Sequence, residues 1–255
     1  MQLFRQLGKT AFRGLTMLGG ISILFWQTLW ALFTTRPRRN LLVKQLYQVG
    51  VLSLPVVLLT GVFTGMVLAV QSYYQFHKIT METAIGILVG LSMTNELGPV
   101  LTAIMVAARV GAAMTAELGT MAVTEQVDAL RAMGINSVEY LIVPRFIACF
   151  LMIPILEIFA VFIGICGGYV VGVHLLHINQ TFYLKNMLDF TEVVDLMNGL
   201  IKTFVFAVLI VIICSYKGLN SENGAEGVGK ATTEAVVLSA ISILFADFFL
   251  AIILY

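Results

Sequence analysis

Seven ionisable side chains, Glu96, Arg109, Glu117, Arg145, Glu157, Lys202 and Asp247, fall inside stretches that are otherwise apolar. A charge at the centre of a membrane-spanning helix costs about 2.5–3.5 kcal/mol on insertion scales, so each position needs a reason. Two chemistries fit. The charges pair across helices or reach for water near helix ends, or they form an ion or proton relay, as in a gradient-driven secondary transporter. Chemistry of other kinds finds no purchase. Cys149, Cys166 and Cys214 lie in apolar runs without CxxC or Cys/His spacing and read as small buried hydrophobes, so no metal site is expected. Gly8-Lys9-Thr10 ends like a phosphate-binding loop, but Leu3 stands where the first glycine is required. Gly224 to Lys230 matches GxxxxGK, yet Ala231 lacks the hydroxyl that would hold magnesium and no strand precedes it, so the stretch reads as a glycine-rich loop. The chain is expected to be no enzyme and to bind no ATP or other cofactor.

Two stretches carry more than packing. In Asn95-Glu96-Leu97-Gly98-Pro99 the proline removes a backbone donor and the glycine a side chain, so the helix should bend or loosen beside a carboxylate. Irregular backbone within a membrane is tolerated where it packs in protein or lines a wet cavity, which makes Glu96 a candidate lining residue. In Thr124 to Gly134 a short helix between two spans ends at a glycine stop. Val127, Leu130 and Met133 form a narrow apolar stripe, with Glu125, Asp128 and Arg131 at the same interval on a neighbouring face. So short a helix is marginal in water and gains stability by docking, either into a groove on a partner or onto the membrane. Between these stretches, Ala108, Gly111, Ala112, Thr115, Ala116 and Gly119 allow another helix to approach closely.

The elements that position these residues follow from composition. The chain is 59% hydrophobic and 11% charged, against about 25% charged in an average soluble domain, so lipid is part of its solvent. Candidate membrane segments are 15–35, 46–74, 83–118, 138–174, 197–216 and 232–255. The first has Arg5, Lys9 and Arg13 before it and Arg36, Arg38, Arg39 and Lys44 after it, so both its ends belong on one side; it reads as an interfacial helix with Trp26 and Trp30 at headgroup level. Five spans remain. With the N-terminus cytoplasmic and Tyr255 outside, ten Lys and Arg fall on the cytoplasmic side (Arg5, Lys9, Arg13, Arg36, Arg38, Arg39, Lys44, Arg131, Lys217, Lys230) against Lys78 and Lys185 outside, which supports this orientation. Asp189, Glu192 and Asp195 crowd the second external loop, where a short surface helix is expected. The fold class is therefore an all-α membrane protein of one domain, 1–255: an interfacial helix at 1–40, a five-span core at 46–255 and a short cytoplasmic helix at 123–134.

The run from Asn95-Glu96-Leu97-Gly98-Pro99-Val100 through Ala108-Arg109-Val110-Gly111-Ala112-Ala113, Thr115-Ala116-Glu117-Leu118-Gly119-Thr120-Met121, Thr124 to Leu130 and Pro144-Arg145-Phe146 closely resembles the MlaE-type permeases of the lipid-asymmetry system. Val43 to Ser53, Gly61 to Leu68 and Lys230-Ala231-Thr232-Thr233 are similar to the same family, so the resemblance covers nearly the whole chain. It implies a homodimeric ABC transporter permease in the inner membrane of a Gram-negative bacterium, multi-pass, with a periplasmic C-terminus. The implied partners are a cytoplasmic ATPase that carries ATP and magnesium, a STAS-domain regulatory subunit, a periplasmic MCE-domain ring and a phospholipid substrate, with no nucleic acid. Glu125 to Met133 falls on the family's coupling helix. The implied lipid cavity at the dimer interface is lined by Leu68, Ser72, Gln75, Phe76, Ile79 and Glu96, beside the helix break at Gly98 and Pro99. Asn95 departs from the pattern, since relatives often carry arginine there.

Overall fold

The computed structural model describes residues 2–34, 38–79, 81–222 and 224–254, and no strand occurs among them. Arg36 and Tyr255, used above in the charge count and the terminus assignment, lie outside the described residues, as do the side chains of Arg5, Lys9, Arg13 and Ile79. The helices in chain order are α1 (Gln2–Thr34), α2 (Arg39–Phe76), α3 (Glu82–Val123), α4 (Gln126–Ala132), α5 (Val138–Leu175), α6 (Gln180–Phe190), α7 (Val193–Leu219) and α8 (Gly224–Leu254). Six of these are long and apolar enough to cross a membrane, α1 over Gly14–Thr34 among them.

Position separates α1 from the other five. Its Gly20 sits so close to Tyr216, near the end of α7, that a Cβ would strike the ring. Its Trp26, Trp30 and Ala31 share a cavity with Asn136 to Glu139, where α5 begins. All these partners lie at the end of the bundle that carries α4, so α1 lies across that end and does not run through the bundle. Leu24, Thr28 and Ala31 are buried one turn apart, while Trp26 and Trp30 are exposed, as an interfacial helix requires.

Three helices are not regular rods. Wide π turns interrupt them at Tyr47–Val51 in α2, at Met93–Leu97 and Ala107–Gly111 in α3, and at Val138–Ile142 and Val170–Leu175 in α5. The expected loosening at Asn95 to Pro99 takes this form: the wide turn comes first, and Pro99 then occupies the first turn of the next helical stretch, where its missing N–H costs nothing. The GxxxxGK stretch differs from the expected loop. It forms the opening turns of α8, which begins at Gly224, eight residues before the expected span. Gly227 is accommodated there because any Cβ would meet the backbone of Glu222.

Small residues set the spacing of the bundle. Apolar side chains gain nothing by leaving lipid for one another, so van der Waals contact between close backbones holds such helices together. In the α2–α5 crossing, Gly61 and Gly65 face Ala160, Gly164 and Gly168; a Cβ on Gly65 would overlap the Gly164 carbonyl, and one on Gly168 would lie 3.2 Å from Gly65 O. In the α3–α7 crossing, Gly111 lies against Cys214 and Gly218 against Thr115, whose hydroxyl donates to Gly111 O at 2.8 Å and Cys214 O at 3.2 Å. Of the small face at 108–119, Gly111, Thr115 and Gly119 therefore pack within the fold, whereas Ala112 and Ala116 are half-buried and Ala108 is exposed. At the opposite end from α4, the expected external helix is α6. Asn179 caps it, accepting from Thr181 N at 3.0 Å, and Tyr183 is fully buried over Gly86, Gly168 and Gly172. Glu192 and Asp195 are used in a capping box that starts α7.

Candidate functional site

The residues of α2 divide by the crossing with α5. Val57, Gly61, Gly65, Ala69 and Ser72 are buried in it, and Val56, Leu59, Phe63, Val67, Val70 and Tyr74 point away. Between the outward face and the wide turn of α3 lies a shallow groove of about 330 Å³, lined by Phe63, Thr64, Val67, Leu68, Gln71 and Leu97. Its walls are apolar with a hydroxyl and an amide, which suits an acyl chain and a few polar headgroup contacts.

Of the lining residues implied by the resemblance, Leu68 lies on this groove. Ser72 is turned inward and donates its hydroxyl to Leu68 O at 2.6 Å. Gln75 is exposed, and Phe76 is half-buried against the core around Tyr183. The backbone of Ile79 ends a short 3₁₀ turn. Phe63, Val67 and Gln71 were not read from the sequence. Their signal was the Gly61/Gly65 spacing, which fixes the inward face and so places the open face at 63, 67 and 71.

Glu96 belongs to an ion cluster at the level of the groove. Lys202 of α7 is fully buried, and its Nζ lies 2.8 Å from Glu96 Oε1, 3.1 Å from Asp247 Oδ1 of α8 and 3.0 Å from the carbonyl oxygen of Asn95. Asn95 donates Nδ2 to Asp195 Oδ1 at 3.2 Å. One cation thus holds α3, α7 and α8 together, with Glu96 half-exposed and Asp247 largely buried. Glu157 of α5 is also fully buried against Gly199, and neither of its carboxyl oxygens has a hydrogen-bond partner among the described residues.

The same arrangement is found at Lys202, Arg109 and Arg145. A wide turn leaves a backbone carbonyl imperfectly paired, which in an apolar surrounding is expensive. Lys202 donates to Asn95 O in the Met93–Leu97 turn, Arg109 donates Nη1 to Gln48 O at 3.1 Å in the Tyr47–Val51 turn, and Arg145 donates to Leu141 O at 2.5 Å in the Val138–Ile142 turn. Arg145 also pairs with Glu117 at 2.7 Å, and Arg109 with Ser53 Oγ at 2.8 Å. These charges hold irregular backbone in place, and the pairing across helices is the first of the two chemistries weighed above.

At the other end of α3, α4 spans Gln126–Ala132. Glu125 enters it in the left-handed region at φ 58, and Gly134 closes it at φ 73. Gly134 N donates to Arg131 O at 2.9 Å and Ile135 N to Leu130 O at 3.0 Å, the paired bonds of a Schellman stop. Val127 is buried and Leu130 half-buried in the large core, so the apolar stripe is turned mostly into this protein. What faces outward is Glu125, Asp128, Arg131 and Met133, with Asp128 and Arg131 paired at 3.1 Å. The two sites are joined by one helix: α3 carries Glu96 beside the groove and ends at α4.

This combination is matched among known proteins. A family model described as Permease MlaE matches residues 42–253. A probable ABC transporter permease protein of Rickettsia bellii is 43% identical over 248 residues, covering 97% of this chain and 96% of its own. One of Synechocystis is 45% identical over 219 residues, covering 86% and 82%. The intermembrane phospholipid transport system permease protein MlaE of Haemophilus influenzae is 37% identical over 252 residues, covering 98% and 96%. A multi-pass helical membrane protein matched by that model over most of its length, and by such relatives nearly end to end, is a permease, and the chain belongs to the MlaE family.

Proposed function

We propose that this chain is the membrane subunit of an ABC transporter that moves phospholipids between the inner membrane and periplasmic MCE-ring carriers, and so maintains the lipid asymmetry of the outer membrane. The observation that carries the reading is the groove of about 330 Å³ on the outward face of α2, apolar along its length and bordered at Leu97 by the turn that holds Glu96. Two copies facing each other across α2 and α3 enclose the lipid. The α4 end faces the cytoplasm in this reading, which the ten-against-two charge count supports, with the C-terminus periplasmic. A separate ATPase docks on Glu125, Asp128, Arg131 and Met133, with a STAS-domain subunit bound to it. Closure of that ATPase on ATP displaces α4, α3 follows, and the groove changes shape at Glu96.

Leu68→Arg places a charge in the groove and should reduce phospholipid co-purified with the intact complex by about tenfold, while the protein still inserts. Lipid retained at the normal amount would remove the groove from the transport path. Exchanging the charges in Asp128→Arg with Arg131→Asp keeps their mutual pair but reverses the pattern shown to a partner. Stimulated ATPase activity should fall about tenfold without loss of the permease from the membrane; unchanged stimulation would exclude α4 as the docking element.

A further inference from the structure

Away from the groove, a second cavity is lined by more positive than negative charge. It measures about 190 Å³ and lies where the Tyr47–Val51 turn of α2, the Ala107–Gly111 turn of α3 and the start of α5 meet. Gln45, Gln48, Arg109, Glu117 and Arg145 are its polar lining. Arg145 is only 5% exposed, is paired with Glu117, and its Nε meets no acceptor. Arg109 uses Nη1 for Gln48 O and Ser53 Oγ, and among the described residues no acceptor meets its Nε or Nη2. The one carboxylate of this cavity, Glu117, pairs with Arg145 and leaves Arg109 without a counter-charge, and donors remain unused on both arginines. A cationic donor buried without an acceptor, as at Arg145, is costly, and the open donors of a half-buried arginine without a counter-charge, as at Arg109, suit a bidentate oxyanion.

Depth within the bundle selects among oxyanions. Arg145 is the eighth residue of α5 and Glu117 the seventh from the end of α3, which puts both about 10 Å inward from the α4 end. A helix of 38 residues is about 57 Å long against a hydrocarbon core of about 30 Å, so its ends project about 13 Å on each side. Arg145 and Glu117 thus lie where phospholipid phosphates are found, and Arg109, about 21 Å from the same end of α3, lies just inside that level. A cavity of about 190 Å³ has room for a phosphodiester.

We propose that Arg109 and Arg145 bind the phosphate of a phospholipid from the leaflet at the α4 end, at a site separate from the groove. Its bound phosphate bridges the wide turns of α2 and α3, the two helices that frame the groove. The inference rests on the phospholipid reading above for the identity of its ligand, and on the arginine geometry for its place.

The test uses the intact complex in cells grown on radiolabelled phosphate. A photo-reactive benzoylphenylalanine replaces Ala113, which lines this cavity, or Gln71, which lines the groove. Labelled lipid is expected at both positions. Arg109→Gln should lower labelling at 113 by roughly tenfold or more and leave labelling at 71 within about twofold. Gln45→Glu, which cancels the excess positive charge without touching either arginine, should lower it similarly and serves if Arg109→Gln fails to insert. Label at 71 without label at 113 overturns the site and leaves the groove standing; label at neither overturns both. Labelling at 113 that is indifferent to both variants also overturns the site, because ordinary surrounding lipid needs no arginine. The photo-excited ketone inserts into C–H bonds, which inorganic phosphate lacks, so a site filled by free phosphate gives label at 71 without label at 113 and overturns a lipid source.

Discussion

Replacing Lys202 with methionine is expected to abolish phospholipid transport and to destabilise the protein by about 3–5 kcal/mol, because it strands Glu96 and Asp247 in the bundle without their cation. The same change removes the donor that holds the Asn95 carbonyl, so the Met93–Leu97 turn is loosened as well. Lys202→Met combined with Glu96→Gln and Asp247→Asn should recover most of the stability, since a neutral set in place of a buried ion cluster is often neutral or better. Transport should not return, because the turn beside the groove still lacks its clamp. Thermal unfolding of the purified protein and lipid transfer after reconstitution separate the two effects. A single variant that unfolds at the normal temperature would show that the cluster contributes nothing to the fold.

Gly65→Val has the second largest expected effect. Even a Cβ at this position overlaps the carbonyl of Gly164, which belongs to rigid helix backbone, so α2 and α5 must move apart. Overpacking usually costs about 1–3 kcal/mol, and a backbone obstacle belongs at the top of that range. The groove lies on the opposite face of the same stretch of α2, so lipid binding should fall with stability. Gly19→Ala provides the comparison, because a Cβ there meets nothing within 4 Å and should leave thermal unfolding unchanged. Equal behaviour of the two variants would mean that the α2–α5 crossing is not held by close backbone contact.

Much of this architecture is legible in residue types alone. Gly134 ends α4 where a left-handed stop is needed, and the flanking arginines keep α1 from being counted as a crossing. Pro99 marks the irregular turn that carries Glu96. What was not legible depends on which helix lies beside which. Lys202 lies 106 residues from Glu96 and 45 from Asp247, and no periodicity links such distances. The stripe on α4 shows an amphipathic helix but not whether its apolar side faces this protein or another; Val127 and Leu130 face this one. Ser72 lies on the inward side of α2 with Gly61 and Gly65, and residue types at 68–79 alone do not show which side packs on α5. Glycines at 224, 227 and 229 suggest a loop where α8 already begins, and the close approach of the Glu222 backbone, which explains Gly227, is a contact that no residue type announces.

The wide turns of α3 also determine how this helix carries force. Gly98–Val106 is bounded by one such turn on each side, so α3 is three short rods joined at two swivels. A push delivered at Val123 crosses the Ala107–Gly111 joint before it reaches the second, in which Glu96 itself sits. Such a backbone favours rotation of one rod against the next over the sliding of a single piston.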